Sequence, residues 1–331
     1  MPQTSIILPC YNVENYLPRA IESVLNQTNP NFELLVVIDG SPDNSKAIAE
    51  TYALKDNRIH VFEKENGGLS DARNFGLERA KGEFIYFMDS DDYIESNLLE
   101  DNLKIIQDEN LDFVIFGYIQ DDEDADGILI KSTAQLPKHT QFQKGEPLKL
   151  DSYHIGLMGY AWNKIYRRSF LNAHNFRFEK GISLVEDILF NAPIYAESQI
   201  IRFNPKAYYH YFNRPVLTLM KKFHENSFEL KKWKNNVLED FFESWEIENK
   251  QELLGYMLIQ GIRYCIHNLF SFQNQLSFIQ KVNFIKKMYK DDTTIKYIQD
   301  FQPTSLNGKL YKFLIENKMA YATGFIAQTI K

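Results

Sequence analysis

The sequence predicts an α/β fold, with a mostly parallel central sheet flanked by helices and a C-terminal α-helical region behind it. Three observations carry this. Short runs that are apolar along their whole length recur through the first 118 residues, as strands covered on both faces do. Between them, apolar residues return every three to four positions, the helical period. After about residue 220 the strand-like runs give way to Phe, Trp, Leu and Ile at helical spacing among lysines.

Each element has its own signal. Thr4 to Pro9 is the first strand, and Tyr16-Leu17, Ala20-Ile21 and Val24-Leu25 mark the first helix. Phe32 to Ile38 is the second strand, closed by the turn cluster Asp39-Gly40-Ser41-Pro42-Asp43-Asn44. Ser45 is expected to cap a helix running to about Leu54. Ile59 to Phe62 is a third strand, and Ser70 to Lys81 a third helix with Gly82 as its terminating residue. Phe84 to Met88, then Ser96 to Asp108, then Phe113 to Tyr118 read as strand, helix and strand. Asp121 to Gly127 is an acidic loop, and 128–150 is expected to hold a hairpin. Tyr256 to Phe272 is interrupted by Gln260, Arg263, His267 and Asn268, so it reads as a core helix and not a membrane span. The start of the chain lacks a basic n-region, which argues against a signal peptide.

Composition narrows the classes further. At 44% hydrophobic and 24% charged, the 331 residues are globular, which excludes disorder and collagen-like repeats. Cys10 and Cys265 are far apart and form no CxxC pair, so a reduced, cytoplasmic protein without a Cys-based metal site is expected. The net charge of -7 is unevenly spread: residues 201–331 carry 19 Lys/Arg against 12 Asp/Glu, and residues 1–200 carry 18 against 32. The two ends are therefore suited to different partners, and nucleic acid is not among those expected.

The strongest chemical signal is Asp89-Ser90-Asp91-Asp92 at the end of an apolar strand. Three carboxylates in four residues repel one another unless a cation offsets them, and hard oxygen ligands suit Mg²⁺ or Mn²⁺. In open parallel sheets ligands sit beyond the carboxyl ends of the strands, where Asn12, Asp39 and this acidic turn would converge. The acidic loop is a weaker imitation. Asp122, Asp124, Asp126 and Gly127 open like a calcium loop, but its twelfth position is Thr133 and a strand precedes it, so it reads as solvated.

Four motifs in order, Ser5-Ile-Ile-Leu-Pro9-Cys-Tyr11-Asn12, Val37-Ile-Asp39-Gly40-Ser41, Asn66-Gly67-Gly68-Leu-Ser-Asp71-Ala-Arg73-Asn74 and Asp89-Ser90-Asp91-Asp92, resemble family 2 glycosyltransferases, which have the GT-A fold. One departure stands out: Ile38 replaces the first of the two acids usual before the Gly-Ser, leaving Asp39. The resemblance implies that Pro9, Tyr11 and Asn12 line the base pocket, with Tyr11 stacking on uracil. It further implies that Asp39 bonds base or ribose, Arg73 reaches the base, and Gly67 and Gly68 admit the nucleotide. Asp89 and Ser90 would lie at the ribose, and Asp91, with Asp89, at the metal. Asp187 is the implied general base, with Glu186 as its neighbour in Leu184-Val185-Glu186-Asp187-Ile188. Trp162, Asn163 and Lys164 resemble a segment ahead of that pair and are candidates for the donor or acceptor subsite. Tyr208-Tyr209-His210-Tyr211 and Arg214 to Lys222 are candidates for closing over the diphosphate, and His210 or His224 for a further metal ligand.

The implied activity is inverting, metal-dependent transfer of a hexosyl or N-acetylhexosaminyl group from a UDP-sugar to a glycan, teichoic acid or lipid-linked acceptor. The expected domains are 1–220, with a nucleotide half 1–118 and an acceptor and base half 119–220, and a helical Lys-rich region 221–331. The lysines and apolar faces of that region suggest an anionic membrane surface, which would make the protein peripheral on the inner face of the plasma membrane; self-association through the same helices is the other partner they suggest. Two rivals compete with this reading. A haloacid-dehalogenase-like phosphatase would need Thr or Val where this chain has Tyr93, and a non-catalytic nucleotide- or carbohydrate-binding module would have no use for Asp187.

Overall fold

The computed structural model describes residues 1–215 and 222–329. The chain divides into two compact units, Met1–Glu146 with Gly156–Val216 and Pro147–Ile155 with Leu217–Lys331. The elements, in chain order, are β1 (Thr4–Cys10), α1 (Leu17–Leu25), β2 (Phe32–Asp39), α2 (Ser45–Ala53), β3 (Ile59–Lys64), α3 (Leu69–Arg79), β4 (Phe84–Phe87), β5 (Tyr93–Ile94) and α4 (Leu98–Asp108). They continue with β6 (Phe113–Glu123), β7 (Leu129–Gln135), β8 (Gln141–Gln143), α5 (Ser152–Met158), β9 (Lys164–Arg167), α6 (Arg168–Ala173), α7 (Glu186–Glu197) and β10 (Ile200–Asn213). Six helices complete the chain: α8 (Ser227–Ser244), α9 (Lys250–Ser271), α10 (Phe278–Lys290), α11 (Asp292–Ile298), α12 (Leu306–Glu316) and α13 (Ala320–Thr329).

The sheet of the first unit runs β3-β2-β1-β4-β9-β6-β10-β5, with β7 on β6 and β8 on β10. β1 to β4 are parallel, as are β6 and β10; β9 is antiparallel to both β4 and β6. The carboxyl ends of β1, β2 and β4 therefore share one edge. Every residue of β1, β2 and β4 is buried, which is why these strands read as unbroken apolar runs. α1 buries Leu17, Ala20, Ile21 and Val24, and Pro18 sits in its first turn, where no intrahelical N–H bond is lost.

Several expectations change. Asn44, not Ser45, is the N-cap of α2. α3 ends at Arg79 with Ala80 in extended backbone, so Gly82 is not a left-handed cap. Its requirement is close approach: the Gly82 N–H donates to Ser5 Oγ at 2.8 Å, and a Cβ there would lie 2.5 Å from the Ser5 nitrogen. Gly82→Ala should cost about 1–3 kcal/mol of overpacking strain, read as a lowered denaturant midpoint with unchanged slope. The hairpin expected within 128–150 forms instead between β6 and β7, with the acidic loop as its turn. There Asp124 Oδ1 accepts the Asp126 and Ile128 N–H groups at 3.0 and 2.8 Å.

In the second unit, α9 is the core helix expected, burying Leu254, Leu258, Ile262 and Ile266. Segment 147–155 belongs with these helices and not with the sheet, because the Asn249 side chain pairs both ways with the Leu150 backbone, at 3.2 and 2.8 Å. Among the described residues, no helix is long and apolar enough to cross a membrane.

Candidate active site

The turn after β3 is built around Asp39. Its carboxylate accepts the Gly67 and Gly68 N–H groups at 2.9 and 2.8 Å and Lys64 Nζ at 2.6 Å. Gly68 has φ +84°, open to glycine, and a Cβ on Gly67 would lie 2.3 Å from Asp71 Oδ2. Lys64 Nζ also donates to Asp71 at 2.7 Å and to the Glu65 carbonyl at 2.5 Å, so its three protons are spent. Asp39 thus shapes the Gly67-Gly68 turn at the edge where the nucleotide is expected. At the end of β1, Tyr11 is exposed and Asn12 is left-handed at φ 56°, its N–H donating to Ser41 Oγ at 2.8 Å. The Pro9 carbonyl accepts from the buried Ser90 Oγ at 2.7 Å, tying the acidic turn to β1.

The three aspartates of that turn point to three different partners. Asp92 is 1% exposed and accepts from Tyr209 Oη at 2.6 Å and the Phe212 N–H at 2.9 Å. Burial, with Asp91 and Asp89 beside it, pushes its carboxyl well above the usual range. Asp91 has the most open side chain of the three and receives Arg214 Nη1 at 3.3 Å. Asp89 Oδ1 receives Arg73 Nη2 at 2.8 Å, and burial raises its carboxyl to about 6 against the pull of Arg73. Among the described residues no three carboxylates or imidazoles converge as a ready-made cation cage. One or two carboxylates completed by substrate phosphates is a normal Mg²⁺ or Mn²⁺ arrangement, and Asp91 with Asp89 fits it.

Arg73 is the junction of the site. Its side chain is 1% exposed and bridges Asp89 to Asp187, with Nη1 at 2.5 Å from Asp187 Oδ1. Burial works against its charge, but Asp187, Asp89 and Glu186 outweigh this and hold its pKa above the ordinary value. Its two terminal nitrogens are engaged by the carboxylates. The neighbouring Asn74 pairs with the Phe178 backbone in both directions, at 2.8 and 2.9 Å, and Asp71 receives Lys180 Nζ at 2.5 Å. One helix, α3, thus holds the segment that leads into α7. Asp187 Oδ2 accepts the Ala161 N–H at 3.0 Å.

Glu186 stands apart from its neighbour. Burial, then Asp187, raises its carboxyl to about 7, and its Oε2 is buried with no hydrogen-bond partner. Between 4.5 and about 7 the folded chain holds a proton the unfolded chain has released, so stability falls as pH rises through that window. Glu186→Gln should remove part of that fall, seen by comparing melting temperatures at the two ends of the window.

Trp162, Asn163 and Lys164, the donor or acceptor candidates, are all buried. Trp162 lies parallel to Tyr209 at 4.3 Å, Tyr160 at 4.5 Å and Tyr211 at 5.8 Å. Asn163 Nδ2 bonds the Phe116 and Leu157 carbonyls, and Lys164 Nζ bonds the Tyr160 carbonyl and Asn163 Oδ1. Burial pushes the Lys164 ammonium well below its ordinary pKa, against the pull of Asp187. Arg214 reaches Asp91 and Glu123 and lies over the rings of Tyr16 and Phe212. It lines a cavity of about 260 Å³ with Arg19 and Asn15. His210 is no metal ligand, since its two ring nitrogens face Asp121 at 2.7 Å and Glu95 at 3.0 Å. The His224 backbone is bonded to Asn268, and 216–221 lie outside the described residues. Sequence reasoning missed Lys64, Ala161 and Tyr160; Lys64 was detectable only as a base closing the strand ahead of the glycine pair.

Known proteins resemble this chain in sequence and in fold. The profile of "Glycosyl transferase family 2" matches residues 5–174. The chain is 36% identical to the assigned glycosyltransferase EpsH of Bacillus subtilis (strain 168) over 251 residues, 72% of each chain. It is 46% identical to the minor teichoic acid biosynthesis protein GgaB of the same organism over 107 residues, 31% of this chain and 12% of GgaB. It spans less than two thirds of several other curated glycosyltransferases. The crystal structure of S. aureus TarS 1-349 in complex with UDP-GlcNAc superposes with a TM-score of 0.73 at 24% identity, covering 99% of this chain and 91% of TarS 1-349. With the family profile along half the chain, EpsH along most of it and the sheet of the first unit in common with a solved relative, the chain belongs to glycosyltransferase family 2 and has the GT-A fold.

Proposed function

We propose that this glycosyltransferase moves a hexosyl or N-acetylhexosaminyl group from a UDP-sugar to a hydroxyl of a glycan, teichoic acid or lipid-linked acceptor, with inversion and with Mn²⁺ or Mg²⁺. The observation that carries the reading is the Arg73 bridge, which brings the acidic turn and the Glu-Asp pair, separated by some hundred residues of sequence, to one guanidinium. UDP-GlcNAc in TarS and the role named for GgaB support the donor and acceptor classes.

Asp187 takes the proton of the acceptor hydroxyl. Arg73 and the Ala161 N–H fix its orientation, and each carboxylate oxygen keeps a second lone pair for the incoming proton. Glu186, whose carboxyl is raised to about 7 by burial and Asp187, precedes it at the start of α7. Asp91 and Asp89 would hold the cation, which supplies Lewis-acid neutralisation of the departing diphosphate. Asp91→Asn should lower kcat/KM by about 10²–10³-fold, as loss of a charge-stabilising group does. UDP release from a panel of UDP-sugars, with Mn²⁺ and then with EDTA, tests the whole reading; no release from any donor and no binding of UDP would overturn it.

A second observation concerns the helical unit alone. Leu306, Leu310 and Phe313 lie along one exposed face of α12, and Tyr321 and Phe325 along one of α13. Lys286 Nζ lies 4.5 Å over the Tyr321 ring, and Lys309 shares the face of α12. Exposed rings set among lysines match an anionic lipid surface in charge and in depth, and would place the enzyme on the inner face of the plasma membrane. Sedimentation with phosphatidylglycerol vesicles at low salt should carry the protein down. Absence from the pellet would refute this, and a dimer mass would give the face to a second copy.

A further inference from the structure

The rings around Trp162 form a ladder fixed at both ends to the reacting groups. At one end, Tyr209 Oη donates to Asp92 Oδ2 at 2.6 Å and receives the Asp89 N–H at 3.3 Å. At the other, Tyr160 precedes Ala161, whose N–H holds Asp187, and the Tyr160 carbonyl receives Asn191 Nδ2 at 3.1 Å, one helical turn beyond Asp187. Trp162 is buried between these anchors, with the Tyr118 ring edge-on to it at 5.0 Å. What the ladder offers outward is Tyr211, 36% exposed, and the half-buried Tyr160.

We propose that Tyr160 and Tyr211 are the platform on which the pyranose ring of the acceptor glycan stacks. The inference rests on Asp187 being the base, as proposed above. Pyranose rings present an apolar C–H face that lies flat on aromatic rings, while their hydroxyls point outward. A ring seated between the acidic turn and Asp187 lies where its hydroxyl can meet both the base and the anomeric carbon, the geometry that converts binding into rate. Trp162 and Tyr118 supply the rigidity. Rings locked by packing lose little freedom when a ligand arrives, so the buried tryptophan supports contacts it does not itself make.

The platform can be tested without knowing the natural acceptor. Saturation-transfer difference NMR with the methyl pyranosides of glucose, galactose, N-acetylglucosamine and N-acetylgalactosamine, with and without UDP, reads stacking directly. At least one glycoside should receive saturation from the native protein. The signal should fall about tenfold in Tyr160→Ala and Tyr211→Ala, as expected for the loss of a stacked ring. Tyr160→Phe and Tyr211→Phe should keep it, and a melting curve for each variant identifies misfolding. Saturation of none of the four glycosides, or saturation undiminished in both alanine variants, overturns the platform. A UDP titration on the same samples judges the donor reading separately, so the failure of one is distinguishable from the failure of the other.

Discussion

Asp187→Asn should bind UDP as the native protein does and lose about 10²–10⁴ of its turnover, the usual contribution of a positioned general base. The asparagine keeps the shape and an oxygen for the Ala161 N–H or for Arg73, so the helix start it occupies need not move. What it lacks is the ability to take a proton. Single-turnover transfer with saturating donor, beside a UDP titration, separates chemistry from binding. Retention of most of the native rate would assign proton abstraction to Glu186, and Glu186→Gln would then carry the loss.

Arg73→Met should be the most destabilising single change in the first unit. It strips the counter-ion from Asp89 and Asp187 and removes the charge that opposes the raised carboxyl of Glu186. Removing one partner of a buried ion pair typically costs about 3–5 kcal/mol, because the remaining charge stays desolvated. For a chain of this size that lowers the melting temperature on the order of 10 °C. Arg73→Lys should fall between, since an ammonium is a point charge and cannot present two separate nitrogens to two carboxylates. The informative control is Arg73→Met combined with Asp89→Asn, which should recover part of the loss. A double variant as unstable as the sum of its parts would mean that Arg73 packs against Phe178 more than it pairs.

The first half of the fold was legible because β1, β2 and β4 are buried on both faces and read as continuous apolar runs, while the amphipathic α1 carries the helical period. β5 has two residues and no pattern to read, and β9 has four, reversed between two strands it meets only through folding. β10 alternates too irregularly, with register shifts at Asn204 to Tyr209, to announce fourteen residues of strand. The site follows the same rule. Motif spacing brought the candidate residues to one edge, but which carboxylate meets which cation is a property of side-chain packing. The bonds of Asp39 were not legible, because Lys64, twenty-five residues later, is invisible as its partner from sequence alone. The burial of Trp162 was not legible either, because burial is not written in a residue's identity.

The reciprocal pairing of Asn74 with Phe178, together with Asp71–Lys180 and Arg73–Asp187, makes α3 a socket with three pins. A modular exchange follows from this. The stretch 175–187 can be transplanted from another family member as a cassette if its residues at 178, 180 and 187 meet those pins. The insert would then bring its own residue at the Asp187 position while the turns after β1, β2 and β4 and the rings around Trp162 stay untouched, giving recombination a seam marked by these three contacts.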